Sequence, residues 1–465
     1  MSTELVLTPA PEVIERALSA SHADGCIVIV RESSSVNARF AVNTSTSNGL
    51  VRSREVTVVS IVNGPQGLAA ASMTRSGRVD VADLVAESEA LALSAPPAPD
   101  AAALVSGSAD VDFAVAPPET SHDELTTVVA GLIRAFADAE RLQVTFAGFA
   151  EHTITTTYLG SSAGPRRRFV QRTGQFQLNG RADAGTRSAW SSAAASQLAA
   201  LDVDAHVAEV HRCLEWARTR RELGAGRYET ILPPIAVADL MAYLYLTTMS
   251  ARDARDGRTV FSTPGGTTKV GQRLSDLAFH LFSDPAAPGL VCEPFVAVSG
   301  SNSVASLFDN AAPLGRVDWI DAGVLNRLMT PRADAARDGT DFAAPVDNLI
   351  LELPGSAGTT EDLVERTERG LLVTSLWYIR EVDPATLLLT GLTRDGVYLI
   401  EEGRVVGAVN NFRFNESPVD VLARSLEASA TTRTAGREFG DYFNRMAMPA
   451  LRVADFNMSS VSPAN

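Results

Sequence analysis

Cysteine is scarce in this 465-residue chain: Cys26, Cys213 and Cys292 are few, odd in number and far apart. No CxxC pair occurs. That argues against a disulfide framework or a cysteine-rich zinc site and points to reduced, buried thiols in a cytoplasmic protein. Long apolar runs are also missing. No stretch reaches the ~18 residues of a membrane span. The longest candidate, Ile231 to Met249, contains Pro233, Pro234 and Asp239. The N-terminal stretch carries Glu4, Glu12 and Glu15 without a long apolar core, so it does not read as a signal peptide. Positive charge is in deficit, with 40 Lys and Arg against 55 Asp and Glu and a net charge of -15. Such a surface repels phosphate backbones and anionic headgroups, which argues against nucleic-acid and membrane partners.

What is present is an ordinary globular balance, 45% hydrophobic and 20% charged, in a chain too long for one core. The patterning predicts an α+β, multidomain protein with helix-covered antiparallel sheets and a strand-rich C-terminal domain. The first unit covers 1–95. Pro9 and Pro11 open a helix, and Cys26–Arg31, Asn37–Asn43, Glu55–Val62 and Gly67–Thr74 read as four strands. Asn48-Gly49 and Asn63-Gly64-Pro65 read as turns, and Asp80 caps a second helix. Residues 96–118, rich in Ala, Pro, Ser and Asp, read as a linker or an extended crossing segment. A middle α+β region, 119–225, opens on the capping box Ser121-His122-Asp123-Glu124. Strand-like runs follow at Gln143–Ala150, Thr153–Leu159 and Arg168–Gln177, then a helix over 204–221 ended by Gly224. The C-terminal unit, 226–465, shows strands at Val346–Glu352, Leu371–Arg380, Gly396–Ile400 and Arg404–Phe414. Its helices are expected at Ala236–Ser250, Thr360–Arg369 and Pro418–Leu426.

Catalytic constellations are hard to find. A hydrolytic metal site needs several converging ligands with one open position. The six histidines are His22, His122, His152, His206, His211 and His280, and no HExxH occurs. His206 and His211 are the nearest imitation, but on a regular helix their rings point about 140° apart. The plainer reading is two surface or half-buried histidines. His122 reads as exposed, His152 as a strand start and His280 as part of an apolar helix. Gly355-Ser356-Ala357-Gly358 lacks the GxSxG spacing of a nucleophile elbow. Thr263 to Lys269 lacks the Gly-Lys-Ser/Thr of a phosphate loop. Arg166, Arg167, Arg168 and Arg172 form a dense basic cluster, read as a solvated hairpin tip or a docking patch for an acidic partner or a peptide carboxylate.

Several segments, in order, resemble the TldD/PmbA family. They are Ala38-Arg39-Phe40-Ala41-Val42-Asn43 with Asn48-Gly49, Gly226–Pro234, Thr259–Ser262 and Gly370-Leu371-Leu372-Val373. Thr390–Gly396, Ile400–Gly403, Asn411–Ser417 and Pro449-Ala450-Leu451 complete the series. The family's metal-bearing members carry HExxxH on the central helix and a Cys ligand near the C-terminus. The resemblance places those helix positions near Ala242, Tyr243 and Thr247, and no cysteine follows Cys292. The pattern looks like the TldE-type member, which has no metal of its own and pairs with a TldD-like zinc peptidase subunit. The resemblance implies a role in a cytoplasmic complex that processes or degrades small or unfolded peptides. Zinc is expected in the partner and no cofactor in this chain. Arg394, Asp395, Arg413 and Asn415 are the candidate peptide or partner contacts, with backbone-bonding turn and strand-end residues as the plainer reading. Rival readings are a stand-alone peptidase using His206 and His211, and a non-enzymatic binding protein.

Overall fold

The computed structural model describes residues 8–440 and 442–463. Pro9 and Pro11 start helix α1 (Ala10–Ala20), which buries Val13, Ile14 and Ala17. Strands β1 (Gly25–Ala41), β2 (Thr44–Gly64) and β3 (Gly67–Ser76) follow. Helix α2 (Val81–Ser94) is capped by the Asp80 carboxylate, which accepts from the Ala82 and Asp83 amides. The middle of the chain gives helix α3 (Thr126–Leu142), strands β4 (Val144–Ser161), β5 (Arg166–Ala182) and β6 (Arg187–Ala195), and helix α4 (Val203–Trp216).

These strands form one antiparallel sheet in the order β3-β2-β1-β4-β5-β6. The stretches expected as separate units at 1–95 and 119–225 therefore contribute to a single sheet, with β1 paired to β4 from Ile27↔Ser161 to Phe40↔Gly148. Alternation explains the union. Val28, Val30 and Tyr158 bury on one face, and Ile27, Ile29 and Leu159 bury on the other. The 96–118 segment crosses this sheet, tied by Ala98 N–H to Leu68 O and Asp110 N–H to Arg166 O.

Several expected boundaries move. Cys26–Arg31 and Asn37–Asn43 are two ends of one strand, β1, and Gln143–Ala150 and Thr153–Leu159 both fall in β4. Asn48-Gly49 is not a turn: both residues lie in β2 opposite Ala38 and Asn37. The chain reverses instead at Val42 and Asn43, both left-handed at φ 51° and 58°. The Asn43 side chain secures that turn, donating to Val144 O at 3.0 Å and accepting from Phe146 N–H at 2.7 Å. Strand β6 was not anticipated, because its small residues carry little pattern. Helix α4 ends at Trp216, not near Arg221, because strand β7 (Arg220–Arg221) pairs parallel with Arg404–Val409.

The C-terminal half is strand-rich. Strand β8 (Gly226–Leu232) sits inside a large mixed sheet between Leu451–Val461 and the parallel strand Arg369–Val373. The sheet's far edge is Leu376–Asp383. The expected Leu371–Arg380 strand is thus two, broken at Thr374 and Ser375, whose hydroxyls donate to Gly396 O and Arg394 O. Arg404–Phe414 is likewise two strands. A second sheet runs from Val324–Leu325 to Thr432–Thr434 and contains His280 in the strand His280–Ser283, where a helix was expected. Helix α5 (Pro234–Thr248) shares one core with residues of both sheets, among them Leu281, Trp319, Leu371 and Phe414. Most of its residues are apolar and buried, as a helix packed between two sheets must be.

Candidate functional site

Along α5 only Leu246, 47% exposed, and Thr247 are classed as exposed, so the helix opens to solvent in its last turn alone. One charged group, Asp239, is fully buried in it. Its carboxylate accepts the Arg437 and Glu438 backbone N–H groups at 2.9 Å each, and the Phe439 N–H as well. Burial pushes its pKa up to about 7, against the pull of those three donors. Glycine is required at 436, because a Cβ there would lie 2.3 Å from the Asp239 oxygen. Asp239 thereby pins the loop Gly436–Gly440 against the helix.

That loop holds up two charged side chains. The Arg437 guanidinium lies between the rings of Trp190 and Trp377, 4.8 Å from each centroid. It donates to Ser375 Oγ at 2.9 Å and to the buried carboxylate of Asp395. Trp190 stands on β6 and Trp377 on the edge strand Leu376–Asp383, so one cation ties the N-terminal sheet to the C-terminal one. Cation–π contacts out of water are worth about 2 kcal/mol. Glu438 accepts from Arg380 Nη1 and from the Tyr378 N–H, both at 3.0 Å. Arg380 stacks on the Tyr378 ring at 4.2 Å. Tyr378 is left-handed, at φ 53°, and 55% exposed. A bulky residue held there stores roughly 1–3 kcal/mol of strain, which the contacts to Glu438 and Arg380 help to hold. Tyr243 of α5 donates to Ile379 O at 2.6 Å and meets Phe439 edge-on at 4.8 Å.

Across from this loop, the N-terminal sheet presents a face that changes character along its length. Near Ile27 and Ile29 it is apolar and packs on Phe295, Leu307 and Phe308. Further along the same face it becomes polar: Arg31 donates to Ala297 O at 2.5 Å and faces Glu55, and beyond it Ser33 bonds Thr155 at 2.8 Å and Thr153 donates to Ser35 at 3.0 Å. Two further contacts join this polar stretch to the C-terminal half: Arg445 to Thr173 Oγ1 at 2.9 Å and Gln171 to Val291 O at 3.2 Å.

The four residues singled out from the sequence do not gather at one point. Asp395, left-handed at φ 57°, turns inward to Arg437. Arg394 lends its carbonyl to Ser375. Arg413 and Asn415 alternate with buried Phe412, Phe414 and Glu416, so they lie on the opposite, outer face of their strand. There Arg413 donates to Thr390 Oγ1 at 3.3 Å, and Asn415 accepts from Thr390 at 2.9 Å and Ser459 at 3.2 Å. Of the basic cluster, Arg166 pairs with Glu15, Arg167 with Asp110 and Arg168 with Asp112. Those three arginines fasten α1 and the crossing segment to the sheet. His206 bonds Ser191 Oγ at 2.8 Å and packs on Phe176, while His211 meets Phe146 edge-on. Burial lowers both pKa values. His152 is buried in mid-strand, bonded to Thr120 and Ser196 O. His280 faces Asp321 at 2.9 Å. Sequence reasoning passed over Arg437, Glu438, Trp190 and Trp377. The available signals were one acid in an apolar helix and the glycines flanking Arg437-Glu438-Phe439.

The family's zinc chemistry does not fit these residues. Ala242 and Tyr243 are buried in α5, and Thr247 turns its hydroxyl back to Tyr243 O at 2.8 Å. The helix's one carboxylate is taken up by backbone donors. Among the described residues no group of three or more His, Cys, Asp or Glu is placed to hold a metal ion. The three thiols are free and buried, and burial raises each pKa.

A family model described as the PmbA/TldA metallopeptidase C-terminal domain matches residues 225–460. A search of curated proteins finds no match. Among solved structures, TldE from Thermococcus kodakarensis superposes with a TM-score of 0.76 at 17% identity, covering 96% of this chain and 99% of that one. A candidate modulator of a DNA gyrase from Thermotoga maritima follows at 0.74 and 15%, covering 96% and 99%. A similar candidate modulator from Bacteroides thetaiotaomicron gives 0.72 and 14%, covering 97% and 98%. At these identities the likeness is one of fold.

Proposed function

From the premise that this chain belongs to the PmbA/TldD metallopeptidase family, we propose that it is the non-metal-binding, TldE-like subunit of a cytoplasmic peptidase complex. The observation that carries the reading is α5, whose Ala242, Tyr243 and Thr247 supply no imidazole or carboxylate where the family's metal-bearing members place theirs. The partner is a TldD-like zinc subunit, and the substrates are small or unfolded peptides. Zinc, when bound by that partner, activates water and polarises the scissile carbonyl.

This chain contributes shape. The Asp239-pinned loop and the Arg437 clamp hold rigid the wall that packs on α5 at Asp239 and Tyr243. Tyr378, Leu246 and the Ser and Thr side chains of the N-terminal sheet offer an extended peptide apolar and hydrogen-bonding surface. The buried thiols suit a reducing compartment. Among the described residues, no helix is long and apolar enough to cross a membrane.

The test is to purify this chain and a TldD-type subunit separately and to measure metal content and peptide cleavage for each alone and for the mixture. The reading expects zinc only in the partner and cleavage by the mixture. Stoichiometric zinc with hydrolysis in this chain alone overturns it.

A further inference from the structure

Where a strand bulges through a left-handed residue, glycine is the usual choice, because a Cβ there is strained. The edge strand Leu376–Asp383 breaks that rule. It pairs Trp377 with Leu392 and then Arg380 with Thr390, so Tyr378 and Ile379 bulge opposite one residue, Gly391. Tyr378 is the left-handed residue, at φ 53°. Glycine would make the same bend without strain. Burial does not repay the strain either, since Tyr378 is 55% exposed. Leu387, also left-handed, is fully buried, and Val42 lies in a two-residue hairpin turn that demands positive φ.

Side chains from α5, the Gly436–Gly440 loop and the strand itself hold the bulge. Glu438 accepts the Tyr378 N–H, and its own N–H is held by the buried Asp239 carboxylate. Tyr243 donates to Ile379 O, and Ile379 is fully buried. Arg380 lies 4.2 Å from the Tyr378 ring centroid and pairs with Glu438. A buried acid, a loop and a core helix thus converge on presenting one exposed ring. Strain that the surroundings over-determine clusters at ligand clamps and active sites.

The setting selects the ligand. Leu246, 47% exposed, follows Tyr243 by three residues, about 4.5 Å further along one side of α5. Trp377, next to Tyr378, shares Arg437 with Trp190 of β6, so the ring stands where the two sheets meet. The charges beside the ring, Arg380 and Glu438, satisfy each other. Such a surface matches an uncharged apolar or aromatic group.

We infer that the Tyr378 ring is a specificity contact, packing on an apolar or aromatic side chain of the peptide that the complex cleaves. The inference rests on the subunit reading above and adds a side-chain preference that this chain imposes.

Peptide cleavage by this chain together with a purified TldD-type subunit tests it, using a peptide series with Phe or Ala at each position in turn. The wild-type complex is expected to favour Phe at one position by about three- to tenfold in KM, the size of one aromatic contact. Tyr378→Gly removes the ring and the strain together. It is expected to abolish that preference through KM, with kcat little changed. The isolated variant should melt within about 3 °C of wild type, as relief of strain offsets the lost contact with Arg380. Tyr378→Asn, which also tolerates positive φ, should give the same loss, and Tyr378→Phe should restore the preference. A wild-type complex without the preference, a preference that survives Tyr378→Gly, or a KM that rises equally for Phe and Ala peptides overturns this inference and leaves the subunit reading standing. Absence of cleavage by the wild-type complex overturns both.

Discussion

In the N-terminal half, β1 meets β2 across a two-residue turn, and β4 meets β5 across Ser162–Pro165. In the C-terminal half, β8 lies between strands that arrive far later in the chain, and the loop at Gly436 closes on Asp239 of α5. Arg166, Arg167 and Arg168 hold α1 and the crossing segment to the N-terminal sheet through ion pairs that stay partly exposed, whereas Asp239 and Asp395 in the C-terminal half are buried carboxylates tied to the loop at Gly436. A buried long-range contact has no water to replace a lost partner, so the second kind should be the costlier to break.

Asp239→Ala tests this contrast most severely. It leaves three inward N–H groups without an acceptor and is expected to cost about 3 kcal/mol or more in urea unfolding. The same group sets a pH dependence. Its folded pKa of about 7 lies above the ordinary carboxyl value of 3.8, so the folded state holds the proton more tightly. Its contribution to stability is therefore full below about pH 4 and lost as pH rises through about 7, the same sign as for Glu293, also raised to about 7. Asp239→Asn should flatten that slope; an unchanged slope counts against the assignment.

Next in size is the Arg437 clamp. A double-mutant cycle of Arg437→Ala with Trp377→Ala should give a coupling of about 1–2 kcal/mol. Additive losses would mean that the stacking contributes nothing.

Asn43→Ala at the β1–β2 turn should cost about 1–2 kcal/mol, because it removes two partly buried bonds to β4, to Val144 O and from Phe146 N–H, where water can still reach the side chain. If it cost as much as Asp239→Ala, the contrast between the halves would fail. The smallest effect is expected for Arg413→Ala on the outer face, below about 0.5 kcal/mol in thermal melting.

Much of the element inventory was legible before the structure. The Pro-capped α1, the Asp80 cap and the largely apolar α5 follow from local pattern and lie close to their expected places. Asn48-Gly49 misled because turn propensity is local, whereas the strand pairing that overrode it is set by residues on β1. Asp395 was expected as a peptide or partner contact and instead turns inward to Arg437, 42 residues further on, a pairing that no local pattern signals.

The amino-acid sequence alone determined the start of α1, the Asp80 cap of α2 and the apolar character of α5, because each depends on residues within a few positions of one another. The tertiary structure decided that β1 pairs with β4, that two tryptophans from different sheets enclose one arginine, and that a buried aspartate on α5 holds the loop at Gly436. Those outcomes depend on which surfaces meet after the chain closes, and burial and chain connectivity act on the whole molecule at once.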